Sequence, residues 1–192
     1  GEFRAQNVRW QKTFEGALEL ANLVSSRTFG LRLEPEYHGW ERHAPGGTLA
    51  ECLAALMAHD PGGDVFAVVG LTSALPLVSS TFDELGYATV GGRHLVVRGY
   101  ADLEERELYE HVFRDLTAEE RELALDARRQ HKTAVVLLHE LGHNLGADHD
   151  TDEETIMSAG YSQRANAFSA AAREVILRTL DARLGRGAAG SD

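Results

Sequence analysis

The run His139-Glu140-Leu141-Gly142-His143-Asn144-Leu145-Gly146-Ala147-Asp148-His149-Asp150 constrains the fold more than any other part of the chain. His139 and His143 are four residues apart, so on a helix their rings leave the same face one turn apart. Gly146 follows three residues after His143, and glycine readily adopts the left-handed conformation that ends a helix and turns the chain. Such a turn brings His149 back toward the first two imidazoles. Three neutral imidazoles hold Zn2+ at about 2.0–2.1 Å and leave a fourth position open, as in a catalytic site. A closed structural site normally takes four protein ligands, commonly with cysteine, and the only cysteine here is the distant Cys52. Glu140, next to the first histidine, can reach a water on the metal without ligating it.

The pattern HExxHxxGxxH with a methionine turn downstream resembles the metzincin clan of zinc endopeptidases. The turn is matched by Thr155-Ile156-Met157-Ser158, and the resemblance makes Met157 the methionine beneath the metal. The motif match itself spans about Ala134 to Tyr161; the remainder matches by architecture. Asp150 directly after the third histidine resembles the adamalysins. The short interval from His149 to Met157 is similar to the matrixins, so the resemblance reaches the clan and stops short of a subfamily.

The resemblance implies an α/β (α+β) fold of metzincin type in one catalytic domain, residues 1–192. A mixed twisted sheet with helices forms an upper subdomain to about residue 143. A smaller, mostly irregular lower subdomain with a C-terminal helix covers about 144–184, and 185–192 form a flexible tail. A substrate cleft runs between the two parts. One catalytic Zn2+ on His139, His143 and His149 would acidify a water toward neutrality and polarise the scissile carbonyl, with Glu140 as general base. Asp150 is expected near the ligand loop or the methionine turn. Tyr161 is a candidate for the oxyanion or for the cleft wall. Tyr87, Ala88, Thr89 and Val90 resemble the cleft-edge strand that pairs with an extended peptide or protein substrate. Secretion or another location outside the cytoplasm follows only from the resemblance.

Two alternatives remain open at the level of sequence. One is a zinc-retaining pseudoprotease that binds peptide segments without efficient turnover, although such a module need not keep Glu140. The other is hydrolysis of a non-peptide substrate. Composition narrows the partners instead: a net charge of −11 argues against nucleic acid or an anionic membrane. No apolar run approaches the roughly 20 residues of a membrane span. At 192 residues with 43% apolar content, the chain can bury a substantial core. Lys12 and Lys132 are the only lysines, and arginine supplies the other 17 cations, a bias suggesting a GC-rich bacterial genome. Gly1-Glu2-Phe3 reads as a cloning or processing scar.

Periodicity predicts the elements that carry the motif. Phe14, Ala17, Leu18, Ala21 and Val24 form a helical stripe over 14–27, followed by an extended segment at 29–40. After the turn cluster Ala44-Pro45-Gly46-Gly47, Thr48 with Glu51 makes a capping box. It opens a helix with the stripe Leu49, Cys52, Leu53, Leu56 and Met57, stopped by Pro61-Gly62-Gly63. The position of Cys52 on that stripe marks it as a packing thiol. Strands are expected at Val65–Leu71, Tyr87–Val90 and His94–Arg98. Thr117 with Glu120 caps a long helix to Leu145, solvated from Glu119 to Lys132 and buried from Thr133 onward. A last helix, about Ser169 to Leu184, buries Ala172, Val175, Ile176 and Leu180. The charged run Asp152-Glu153-Glu154 reads as a solvated loop, and His94 as the one other histidine to place relative to the cleft.

Overall fold

The computed structural model describes residues 10–40, 48–72, 85–99, 107 and 110–185. The turn cluster at 44–47 and nearly all of the expected tail lie outside them. In chain order the elements are α1 (Trp10–Phe29), α2 (Leu49–His59), β1 (Val68–Thr72), β2 (Gly86–Ala88), β3 (His94–Arg98), α3 (Ala118–Asn144) and α4 (Ala170–Leu184). The sheet is mixed, in the order β1-β3-β2, with β1 parallel and β2 antiparallel to β3. Among the described residues no helix is long and apolar enough to cross a membrane.

The central strand explains the layering. Leu95, Val96 and Val97 on β3 are all buried, so both faces of the sheet are covered. Leu95 and Val97 join the larger core with Phe14, Leu18 and Ala21 of α1 and Val136 and Leu137 of α3. Val96 faces the other way, into a smaller core with Leu49, Cys52, Leu53 and Leu56 of α2. The site-bearing helix is therefore clamped between the sheet and α1.

Both capping boxes form. Glu51 N donates to Thr48 Oγ1 at 3.2 Å and Thr48 N to Glu51 Oε2 at 2.8 Å. The Thr117 and Glu120 pair repeats the arrangement at 3.3 and 2.8 Å. Ser169 caps α4 through Ala172 N.

The structure corrects several boundaries. β1 starts at Val68 because Val65 N turns back to Gly62 O, leaving Val65 exposed. β2 ends at Ala88: Thr89 N still donates to His94 O, its partner in the β2–β3 register, and Val90 then enters the turn completed by Gly91 at φ +67°. Met57 points outward from α2. The first half of α3 is not wholly solvated: Leu125 and Lys132 are buried. Val175 is only half-buried.

The segment after α1 contains no strand. It is held instead by Asn22, whose Nδ2 donates to Leu33 O while its Oδ1 accepts from Leu33 N.

Candidate metal and catalytic centre

The site begins with how α3 ends. Gly146 takes φ +86°. Gly146 N donates to His143 O, and Ala147 N reaches back to Gly142 O, both at 2.9 Å. This paired cap satisfies carbonyls of the last turn and reverses the chain. Five residues after His143, the returning strand of chain has placed Asp148, and His149 follows it into contact with the helix.

The three Nε2 atoms converge. His139 and His143 stand 3.1 Å apart, His143 and His149 3.2 Å, and His149 and His139 3.3 Å. Tetrahedral ligands at about 2.0–2.1 Å from zinc would stand about 3.3 Å from one another. The protonation pattern points the same way. His139 Nδ1 donates to Ile156 O and His143 Nδ1 to Ala147 O, each at 2.8 Å. A neutral imidazole that donates from Nδ1 has a bare lone pair on Nε2. Two such lone pairs at 3.1 Å cannot hydrogen-bond each other; they need a cation between them. Carbonyl partners on the far nitrogens also fix ring orientation and tautomer, as metal-ligating histidines require.

Burial changes along the triad, from His139 (buried) through His143 to His149 (exposed). Burial pushes the His139 imidazole down to about 3; the Ile156 carbonyl opposes this, and the neighbouring His143 and His149 add to it. The ring therefore stays neutral, the form that coordinates metal, far into acid.

Met157 is wholly buried, and its Sδ lies against Gly142 so closely that a side chain there would overlap the sulfur. Gly142 immediately precedes His143, so the methionine packs against the same turn of α3 that carries that histidine. Asp150 ties the returning loop to this turn. Its N donates to Met157 O at 2.8 Å, while its carboxylate accepts from Thr155 Oγ1 and Ser169 Oγ, both at 2.8 Å.

Glu140 is buried, its carboxylate packed against Gly86 of β2. Tyr87 and Val90 are exposed beside it on β2 and its turn, Ala88 is half-buried, and Thr89 is bonded inward to His94 O. His94 is buried in the sheet, with Nε2 2.7 Å from Asp60 O. Tyr161 lies elsewhere: its hydroxyl is 3.0 Å from His131 Nδ1, and Lys132 and Arg128 lie over its ring. His131 precedes His139 by two helical turns, about 12 Å along the axis.

Residues that the sequence did not single out complete the frame. Asn144 Nδ2 donates to Thr89 O at 2.7 Å and His94 O at 3.1 Å. Gly91 N donates to His143 O at 3.0 Å, and Arg183 reaches the carbonyls of Gly91, Gly92 and Asn144. Only a three-dimensional view brings these together, since the Arg183 contacts span up to 92 residues.

The architecture is of the metzincin-like zincin type. The crystal structure of archaemetzincin from Methanopyrus kandleri matches it with a TM-score of 0.52 at 22% identity, over 87% of each chain. A search of curated proteins finds no match. The family model described as metallo-peptidase family M12 matches residues 10–177. The chain belongs to that metallopeptidase family, and its three-histidine cluster fits the family's zinc site.

Proposed function

We propose that the protein is a zinc endopeptidase that hydrolyses peptide bonds within extended segments of its substrates. The convergence of three Nε2 atoms, two of them bare by their hydrogen bonding, is the observation that carries this reading. His139, His143 and His149 would hold one zinc ion, with Met157 supporting them from below. When bound, the ion acidifies water and polarises the scissile carbonyl. Glu140 accepts the proton of the attacking water at its carboxylate and passes it to the departing amine nitrogen. Burial of Glu140 between α3 and β2 restricts the directions in which that carboxylate can move.

Substrate would enter from the exposed His149 side, in a cleft between residues up to about 143 and residues 144–184. Among the described residues β2 pairs only with β3, which leaves its outer edge for an extended peptide. Tyr87 and Val90 would meet substrate side chains. Thr89 offers less to the backbone, because its N–H is already given to His94 O.

The deciding experiment is mass-spectrometric cleavage mapping on a diverse peptide library with wild type, Glu140→Gln and chelator-treated protein. Cleavage by wild type alone, with zinc retained in Glu140→Gln, is the expected result. A loss of about 10²–10⁴-fold is in the range for removing a general base. Full activity in Glu140→Gln would remove that residue from the chemistry. A folded, zinc-loaded wild type that cuts nothing would favour a peptide-binding role.

A further inference from the structure

Strand β2 opens with a residue that strands disfavour. Gly86 is buried and pairs with Val97 of β3. Its φ lies outside the left-handed region, so the backbone does not call for glycine there. Glycine at such a place marks a close approach by another group. Here that group is known: a Cβ on Gly86 would lie 2.5 Å from Glu140 Oε1, 2.7 Å from Cγ and 2.8 Å from Cδ. Real Cβ atoms do not approach heavy atoms so closely, so something must move.

We propose that Gly86 is a positioning residue: the space left by its absent side chain seats the Glu140 carboxylate and fixes it relative to the three imidazoles. This rests on the reading of Glu140 as the general base. Neither backbone can yield easily. β2 is held to β3 through its register and by Arg98 N donating to Leu85 O at 2.8 Å. The end of α3 is fixed by its glycine cap and by Asn144. An added methyl at Gly86 therefore presses on the Glu140 side chain, shifting its carboxylate while leaving the histidines in place.

The test couples the two positions. Gly86→Ala should keep its zinc and lower kcat on the order of 10²-fold, within the range of a displaced acid–base group. KM should change little, since the loss falls on the chemical step and not on binding. In a Glu140→Gln background, Gly86→Ala should bring no comparable further loss. Stability gives a second readout that needs no activity. In metal-free protein, Gly86→Ala should lower Tm by roughly 3–10 °C through overpacking. In a Glu140→Ala background the same substitution should cost nothing or raise Tm, because the occupant of the space is gone. Should Gly86→Ala alone not fold, recovery of folding in the double variant supports the proposal, and continued failure overturns it. Equal Tm losses in both backgrounds, or an undiminished kcat in Gly86→Ala, would also overturn it. If Glu140→Gln is fully active, the base reading fails by itself, while the Tm coupling still decides what occupies the space beside Gly86.

Discussion

Removing the Asp150 carboxylate should loosen the zinc site without touching a ligand. Asp150 accepts hydroxyl hydrogen bonds from Thr155 and Ser169, both at 2.8 Å. Hydrogen bonds to an ionised group contribute about 1.5–3 kcal/mol each when sheltered. Asp150 is half-buried, so the lower half of that range is appropriate. Asp150→Ala should therefore cost about 3–4.5 kcal/mol for the two bonds, or about 6–18 °C in Tm for a chain of this size. The backbone bond from Asp150 N to Met157 O survives the substitution, so the loop loosens rather than detaches. His149 immediately precedes Asp150, and the same turn supplies the Ile156 carbonyl that orients His139. Zinc affinity should fall about 10–100-fold, as when partners behind metal ligands are lost. Calorimetry of metal-free protein and chelator competition for zinc measure the two effects separately. An Asp150→Ala protein with wild-type zinc affinity would refute the link from this carboxylate to the ligand loop. An unchanged Tm would refute the energetic value assigned to its two bonds.

Other outcomes follow from the same geometry. The folded His139 has its pKa depressed to about 3 from an unfolded value of 6.5, so between these limits the unfolded chain binds the extra proton. Metal-free protein should therefore keep this contribution above pH 6.5 and lose it as pH falls toward 3, on the order of 5 kcal/mol in all. Denaturant titrations across that window should show less acid sensitivity in His139→Phe, and equal sensitivity would count against the assignment. Met157→Ala removes a fully buried side chain and should destabilise by about 2–5 kcal/mol, read from the urea midpoint. Tyr161→Phe gives up the hydroxyl contact with His131 but should leave kcat within about 2-fold, because that hydroxyl is engaged at His131, two turns or about 12 Å of helix before His139. A loss of 10²-fold or more, the size of an oxyanion donor, would return Tyr161 to the chemistry.

The legible parts of this chain were those governed by local rules. Helix period, two threonine–glutamate capping boxes and a glycine after the last turn depend on neighbours a few residues apart, and each was readable at its position. The ligand geometry was readable for the same reason: a four-residue helical spacing and one turn bring three rings together. Burial was harder to read. Lys132 sits on the charged stretch of α3, yet it is covered by Tyr161 from a segment 29 residues further on. Met57 continues an apolar stripe, but that stripe is wider than the face the sheet covers. The edge strand stops short of Val90 because the Thr89–His94 pair closes the β2–β3 ladder and the chain turns at once through Val90 and Gly91. Asn22 carries no mark in the helical pattern, yet its amide fastens the next segment at Leu33.

Several of the distant contacts that sequence could not supply share one destination, the last turn of α3. Asn144 binds the carbonyls of Thr89 and His94, Gly91 N binds the carbonyl of His143, and Arg183 of α4 closes over Gly91, Gly92 and Asn144. Helix ends fray most readily because their final carbonyls lack internal partners. Here those carbonyls are satisfied by the glycine cap, by the β2–β3 turn and by α4. A helix end held from three directions cannot relax when the ligand loop moves. This places the freedom of the site in His149, the exposed ligand, rather than in His139 or His143. Zinc loss should therefore begin with the loop from Asp148 to Asp150, leaving α3 and its cap intact. Hydrogen exchange on metal-free and zinc-loaded protein can check this: protection should fall at 148–150 on metal removal, while amides of 139–147 stay protected. Matching losses in both segments would show that the metal, rather than the three-sided clamp, holds the end of the helix.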